Sequence, residues 1–240
     1  MIFLITLLCV IAFSFIFKAP LEKAPWAFYA LALVLVVLFV CREGLGFPVY
    51  IERPIFYLVQ KCTVATALFV VVMFIGVFSD QSRIRRYLMP VRAELSILGC
   101  LMALGHIINY LMVYLPQVMG VSATIRTNIV FSFGLALFLV LLLVVLGATS
   151  FNAIKRRMSA VAWKRVQWFA YPFFLLIYVH SMLFLLPPAL NGSGTALFSV
   201  AVYTAVFAGY LVARSVAALR AGKAAGQGAL QGEAQEAAAH

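Results

Sequence analysis

Long apolar runs of about twenty residues, separated by short polar links, are the feature that most constrains this chain. Hydrophobic residues make up 65% of the 240 residues, charged residues only 10%, and the mean hydropathy is +1.08. A helix of about 20 apolar residues crosses the hydrocarbon core of a bilayer, so these runs predict membrane spans. We therefore predict an all-α, polytopic membrane bundle with seven spans: Ile2–Phe17, Trp26–Cys41, Ile55–Phe78, Leu95–Leu115, Ile129–Thr149, Phe169–Leu186 and Ala196–Ala213.

The basic residues predict an orientation. Of the 18 Lys and Arg residues, fourteen lie in the first, third and fifth links and in the C-terminal tail, and four lie in the second and fourth links. Cytoplasmic loops carry an excess of Lys and Arg, so the N-terminus is predicted outside and the C-terminus in the cytoplasm. Trp26, Trp163 and Trp168 then all lie at the cytoplasmic interface, where aromatic residues are enriched.

The net charge and the cysteines limit which partners and which metal or disulfide sites the sequence predicts. A net charge of +11 would indicate nucleic-acid binding in a soluble protein. Here the basic residues lie in short loops between apolar runs, so we predict contact with membrane lipid and no nucleic-acid partner. The four cysteines show neither CxxC spacing nor a neighbouring His cluster, which disfavours a zinc site or a disulfide framework. The segment 222–240 is rich in Ala, Gly, Gln and Glu and predicts a disordered tail.

Two histidines lie deep inside predicted spans, where an ionisable residue is costly and indicates a functional site. His106 is the twelfth residue of the fourth span, and His180 is the twelfth residue of the sixth. With the predicted orientation, both spans begin at the cytoplasmic face and run outwards. Both histidines therefore lie about 17 Å from the cytoplasmic edge of the membrane. Two imidazoles at equal depth on parallel helices can fill both axial positions of a haem iron, whereas zinc takes more protein ligands.

Neighbouring residues extend this candidate haem site. Gly99, Ala103 and His106 share one helix face at i, i+4 and i+7, which predicts a small-residue strip for a porphyrin. Arg126 is the one positive charge in the fourth and sixth links and is a candidate partner for a haem propionate. In the alternative interpretation each histidine only hydrogen-bonds across a helix interface, worth about 1 kcal/mol. The chain would then be a cofactor-free membrane transporter or an assembly subunit.

Two stretches that contain these histidines carry a family resemblance. RAELSILGCLMALGHIINYL spans Arg92–Leu111, and GATSFNAIKRRMSAVAWKRVQWFAYPFFLLIYVH spans Gly147–His180. They resemble the ferric reductase-like transmembrane family, which includes the membrane parts of NADPH oxidases, ferric reductases and the haem subunit of periplasmic methionine sulfoxide reductase systems. The resemblance implies a six-helix haem-binding domain over 26–221, preceded by an extra helix and link over 1–25. It also implies electron transfer across a cell membrane, and the expected membrane is a bacterial inner membrane.

The departures from the family pattern define the expected cofactors. Two-haem members carry a further histidine before each outer ligand, and here those positions hold Arg92 or Ala93, and Gln167. The resemblance therefore implies one haem b, with His106 and His180 as its axial ligands. FMN, FAD or a quinone near Arg92 and Gln167 is a candidate for the cytoplasmic half of the electron path. The sequence contains no GxGxxG turn, so a flavin reductase or quinol is the expected donor, and an extracytoplasmic reductase is the expected acceptor.

Overall fold

The computed structural model describes residues 2–119 and 127–238, which form α-helices and one 3₁₀ turn without any strand. The helices of this described part are α1 (Ile2–Ile16), α2 (Lys18–Lys23), α3 (Pro25–Val40), α4 (Arg42–Leu45), α5 (Val49–Gln60), α6 (Thr63–Ile75), α7 (Arg83–Leu88), α8 (Arg92–Val118), α9 (Thr127–Ser150), α10 (Asn152–Lys155), α11 (Ala160–Trp168), α12 (Ala170–Leu190) and α13 (Gly194–Ala238). The 3₁₀ turn, Met89–Val91, joins α7 to α8. The prediction of an all-α fold is confirmed over these residues.

Four helical segments are long and apolar enough to cross a membrane. They are Arg83–Val118, Ile129–Ser150, Ala160–Leu190 and Gly194–Gly222. Three further apolar helices, α1, α3 and α6, contain 15, 16 and 13 residues. Together with the composition, these helices indicate a membrane protein.

Helix α6 lies at the centre of the bundle. Every residue from Ala65 to Met73 is buried, so no face of this stretch is free of neighbours. Helix α6 packs against α8 and α1, α8 also packs against α3 and α9, and α12 packs against α9 and α13. Helix α1, which the sequence predicts as an extra helix in front of a six-helix domain, packs against α6. Its Phe3 ring stacks on Tyr203 of α13 with the ring centroids 4.0 Å apart.

The third predicted span is divided into two helices. Helix α5 ends at Gln60 and α6 begins at Thr63, and Cys62 between them has a φ of 56°, a left-handed conformation uncommon outside glycine. Thr63 Oγ1 donates a hydrogen bond to the Leu58 carbonyl oxygen at 3.1 Å. A helix break frees backbone carbonyl groups, which must find other donors wherever water is excluded. One of these carbonyls, that of Gln60, belongs to the candidate site described below.

Three helices extend past the ends that the sequence predicts. Helices α8 and α12 include Pro116 and the pair Pro187-Pro188 in their last turns, so each ends a few residues after the predicted boundary. Helix α13 continues to Ala238, through the stretch for which the sequence predicts a disordered tail. Alanine is the strongest helix former, and this Ala-rich stretch follows an apolar helix, so propagation needs no new nucleus.

Candidate functional site: a facing pair of histidines

His106 of α8 and His180 of α12 face each other inside the bundle. Their ring centroids are 6.3 Å apart, and the ring planes are inclined at 86°. Helix α9 packs against both α8 and α12, so the same helix supports the two elements that carry the histidines. The structure thus brings together the two residues that the sequence placed at equal depth.

The hydrogen bond of His106 defines its tautomer. Its Nδ1 lies 2.6 Å from the backbone carbonyl oxygen of Gln60, at the break between α5 and α6. A carbonyl oxygen only accepts, so Nδ1 carries the proton and donates it. In a neutral imidazole the lone pair is then on Nε2. Histidines that bind metal commonly have this arrangement, in which the second nitrogen donates to a carbonyl group and fixes the ring.

His180 is held by a hydroxyl group of α9. Ser132 Oγ lies 3.2 Å from His180 Nδ1, and Ser132 is only 1% exposed. A hydroxyl group can donate or accept; when Ser132 accepts, Nε2 of His180 also carries the lone pair. The contact of Ser132 with His180 was not predicted from the sequence. The signal was present, because Ser132 is the one polar side chain between Ile129 and Ala148.

An aromatic side chain lies one turn after each histidine on the same helix. The Tyr110 ring centroid is 4.8 Å from that of His106, and the Phe184 ring centroid is 5.6 Å from that of His180. Residues four apart lie on the same helix face, so each contact follows from the sequence spacing. Each imidazole therefore has a hydrogen bond at Nδ1 and an aromatic neighbour that restrict its rotation.

The separation of the two rings suits two ligands of one metal ion. Metal–nitrogen bonds of about 2 Å place the centroids of two opposed imidazoles roughly 6 Å apart. In the described part of the chain, no group of three or more His, Cys, Asp or Glu side chains is placed to hold an ion. A structural zinc site usually has four protein ligands, twice the number that this pair supplies. The pair fits a metal whose other positions are filled by its own macrocycle, as in haem.

The small-residue strip beside His106 serves helix packing. A Cβ added at Gly99 would lie 2.8 Å from Cε1 of Phe69, a residue of α6. Ala103 is 5% exposed and belongs to the same buried core. The described contacts therefore give no support to the prediction that Gly99 and Ala103 face a porphyrin. The sequence pattern was compatible with both roles, because small residues also let two helices approach closely.

A cation of the second link lies near the histidine pair. Arg42 Nη2 donates to Asn109 Oδ1 at 3.1 Å, and Asn109 lies one helical turn beyond His106. Arg42 Nη1 also donates to the Phe39 carbonyl oxygen at 2.8 Å. Arg126 is the cation that the sequence predicts for this site, and it lies outside the described residues. Arg42 was missed because only the folded chain reveals its contact with α8.

Arg92 and Gln167 line a separate cavity of about 140 Å³. Arg92 Nε donates to the Val72 carbonyl oxygen, and Gln167 Nε2 donates to Thr149 Oγ1, each at 3.1 Å. Arg92 is fourteen residues before His106 on α8, which corresponds to about 21 Å along the helix axis. The structure thus brings together the two residues that the sequence paired, at a distance from the histidines.

These features define a helical membrane protein with a histidine pair inside its bundle. The chain is similar to an uncharacterized protein of Treponema pallidum (strain Nichols), with 36% identity over 162 residues. The alignment covers 68% of this chain and 45% of that protein, so the chain spans less than half of its relative's length. No protein-family model matches the chain, and no solved structure matches it. The resemblance to the ferric reductase-like family therefore stays a prediction.

Proposed function

We propose that this chain is an electron-transfer subunit of a cell membrane, in which His106 and His180 hold one haem b. The main observation in support is that the two imidazole rings face each other with their centroids 6.3 Å apart. In addition, His106 Nδ1 donates a hydrogen bond to the Gln60 carbonyl oxygen. When bound, haem supplies one-electron chemistry through its ferric and ferrous states. With both His106 and His180 bound to the iron, no position would remain for a ligand such as oxygen, which would favour electron transfer.

The residues around the histidine pair orient both imidazole rings for binding a ligand. The Gln60 carbonyl group keeps the proton of His106 on Nδ1, so the lone pair of Nε2 would be available to bind the haem iron. Ser132 does the same for His180 when its hydroxyl oxygen accepts the hydrogen bond. Arg42, which bonds Asn109 one helical turn beyond His106 and pairs with Glu43, is a candidate cation for an acidic group of such a ligand.

We extend the proposal to the membrane topology. The three shorter apolar helices cross the membrane together with the four long segments, which gives seven spans. The N-terminus lies outside and the C-terminus in the cytoplasm, in agreement with the distribution of Lys and Arg. Electrons then pass from a cytoplasmic flavin reductase or from quinol to an extracytoplasmic acceptor. The bacterial source of the relative supports a bacterial inner membrane as the location.

Fusion proteins test this topology. A green fluorescent protein fused after His240 is expected to fluoresce, because the C-terminus is assigned to the cytoplasm. An alkaline phosphatase inserted at the Asn191–Ser193 turn, which joins α12 to α13, is expected to be active, because this turn is assigned to the outside. An inactive phosphatase at the turn and an active one after His240 would reverse the orientation.

The central test is an absorption spectrum. The protein is purified from cells supplied with haem, and the spectrum of the dithionite-reduced form is compared with that of the oxidised form. The proposal requires the sharp bands of a six-coordinate b-type haem. A protein without these bands would instead support the cofactor-free transporter or assembly subunit.

A further inference from the structure

A larger cavity, with a volume of about 420 Å³, lies between α12 and α13. This volume is within the range of roughly 300–1,000 Å³ that small-molecule sites have. Two of its lining residues, Leu175 and Leu211, are 43% and 48% exposed, so the cavity is open along the outer surface of the bundle. Exposed leucines on two long apolar helices of a membrane protein face the acyl chains of the bilayer. A ligand with a long apolar part can therefore enter the cavity from the membrane.

The cavity has an apolar end and a cationic end. At the apolar end, the rings of Phe174 and Phe207 stack with their centroids 4.4 Å apart. At the cationic end, the Arg214 guanidinium group lies 4.9 Å from the ring centroid of Tyr171. Arg214 is seven residues after Phe207 on α13, which corresponds to about 10 Å along the helix axis. It directly follows the last predicted span, Ala196–Ala213, so the cationic end is placed at the edge of the membrane.

The charge at this cavity is positive and meets no nearby acidic residue. Arg214 is the one charged side chain among the described residues that line the cavity. Between Glu94 and Glu233 the sequence contains nine Lys and Arg residues and no acidic residue. Helix α12 and the apolar part of α13, which form the cavity, therefore offer Arg214 no carboxylate. Charge complementarity favours a ligand that brings its own negative group.

A basic surface adjoins the cationic end. Trp168 lines the cavity and is the last residue of α11, which belongs to the connection Asn152–Trp168. This connection also exposes apolar side chains, including Val161 and Trp168. Exposed basic and apolar residues together are typical of a segment that lies on an anionic membrane surface, whereas an acidic protein partner makes no use of the apolar ones. The five basic residues of the connection are all exposed: Lys155, Arg156, Arg157, Lys164 and Arg165.

We infer that the cavity between α12 and α13 binds one anionic phospholipid, with the lipid phosphate at Arg214 and an acyl chain beside Phe174 and Phe207. A guanidinium group presents several N–H donors in one plane and matches the oxygen atoms of a phosphate. Its contact with the Tyr171 ring restricts the Arg214 side chain. The cavity accommodates the headgroup and the first part of one chain, and the rest of the lipid stays in the bilayer. This site is separate from the histidine pair and does not depend on the proposed function.

Native mass spectrometry of the full-length protein in detergent tests the role of Arg214. The probes are phosphatidylglycerol and phosphatidylcholine with the same acyl chains, which differ in net charge. The first phosphatidylglycerol is expected to bind about fivefold more tightly than the first phosphatidylcholine, and Arg214→Gln should remove most of this preference. Arg220→Gln is the matched control. It removes the same charge from an exposed residue of α13 that does not line the cavity, so the preference should remain.

A second variant tests the apolar part of the cavity. Leu211→Trp places a bulky ring at the opening and is expected to weaken binding of the first phosphatidylglycerol at least as much as Arg214→Gln does. Leu197→Trp is its control, because Leu197 is an exposed residue of the same helix and does not line the cavity. Leu211 is exposed, so this variant keeps the inference testable if Arg214→Gln does not fold.

Four outcomes would overturn the inference. Equal affinities of the wild type for the two lipids would exclude recognition of the anionic headgroup. Equal losses in Arg214→Gln and Arg220→Gln would assign the preference to diffuse attraction by the basic residues. Unchanged lipid binding in Leu211→Trp would exclude this cavity. Displacement of the first phosphatidylglycerol by inorganic phosphate or by a short-chain quinone would assign the cavity to a different ligand.

Discussion

Replacing either His106 or His180 with alanine is expected to abolish haem binding. Each substitution would remove one of the two proposed haem ligands and leave an empty space where the imidazole packed. Loss of a residue that merely supports a metal ligand already lowers metal affinity by about 10–100-fold, so loss of a ligand should exceed this. Haem per protein, measured from the reduced minus oxidised spectrum after purification, should therefore fall at least about tenfold in each single variant.

Two control variants separate ligand loss from general damage. His240→Ala changes the third histidine of the chain and is expected to keep the full haem content. Ser132→Ala removes the hydroxyl group beside His180 Nδ1 and is expected to lower haem affinity by about 10–100-fold, less than the loss of His180 itself. The electron paramagnetic resonance signal of the haem that remains bound should shift, because the ring is less restricted. Normal haem content in His106→Ala or in His180→Ala would contradict the assignment of that residue as a ligand.

The histidine pair could be predicted from the sequence because its determinants are local. Hydropathy defines the spans, and a constant rise per residue converts sequence position into depth. His106 and His180 therefore gave equal depths without knowledge of the packing, and the structure places their rings 6.3 Å apart. Which face each histidine presents depends on helix rotation, and sequence spacing alone does not determine it.

The contacts that fix the two imidazoles could not be predicted in the same way. The acceptor for His106 is a backbone carbonyl group at a helix break, and the residues around Cys62 include no Gly or Pro to signal that break. The third span was therefore predicted as one helix, although Gln60 and Lys61 interrupt its apolar run. The role of Gly99 was ambiguous for another reason: a glycine that receives a ring from a neighbouring helix looks the same as one that faces a cofactor.

The cavity at Arg92 and Gln167 shows how far a resemblance can guide a prediction. Comparison with the two-haem pattern assigned Arg92 and Gln167 to the positions of the two further histidines. The structure places both residues in one cavity. The resemblance did not indicate Lys155, because α10 and α11 form a short helical connection that returns this cation to the bundle.

Gly105→Ala is expected to destabilise the protein, although alanine is the better helix former. A Cβ at position 105 would lie 2.4 Å from Cγ1 of Val59 and 3.3 Å from Cδ1 of Phe39. Phe39 and Val59 are 1% and 3% exposed, so neither side chain can move into open space. Relieving the overlap requires a shift of α8, and overpacking of this kind costs about 1–3 kcal/mol. Thermal unfolding in detergent should show a lower midpoint temperature than for the wild type.

The same shift should reach the histidine site, because Gly105 precedes His106 and Val59 precedes Gln60, whose carbonyl group binds His106. Haem content should therefore fall together with the midpoint temperature. Gly134→Ala is the matched control: nothing lies within 4 Å of the added Cβ, so helix propensity alone should maintain or raise stability. In the Gly105→Ala background, Val59→Ala should recover most of the loss, since it removes the overlapping Cγ1. A Gly105→Ala protein as stable as the wild type would show that α8 does not pack this closely against α5.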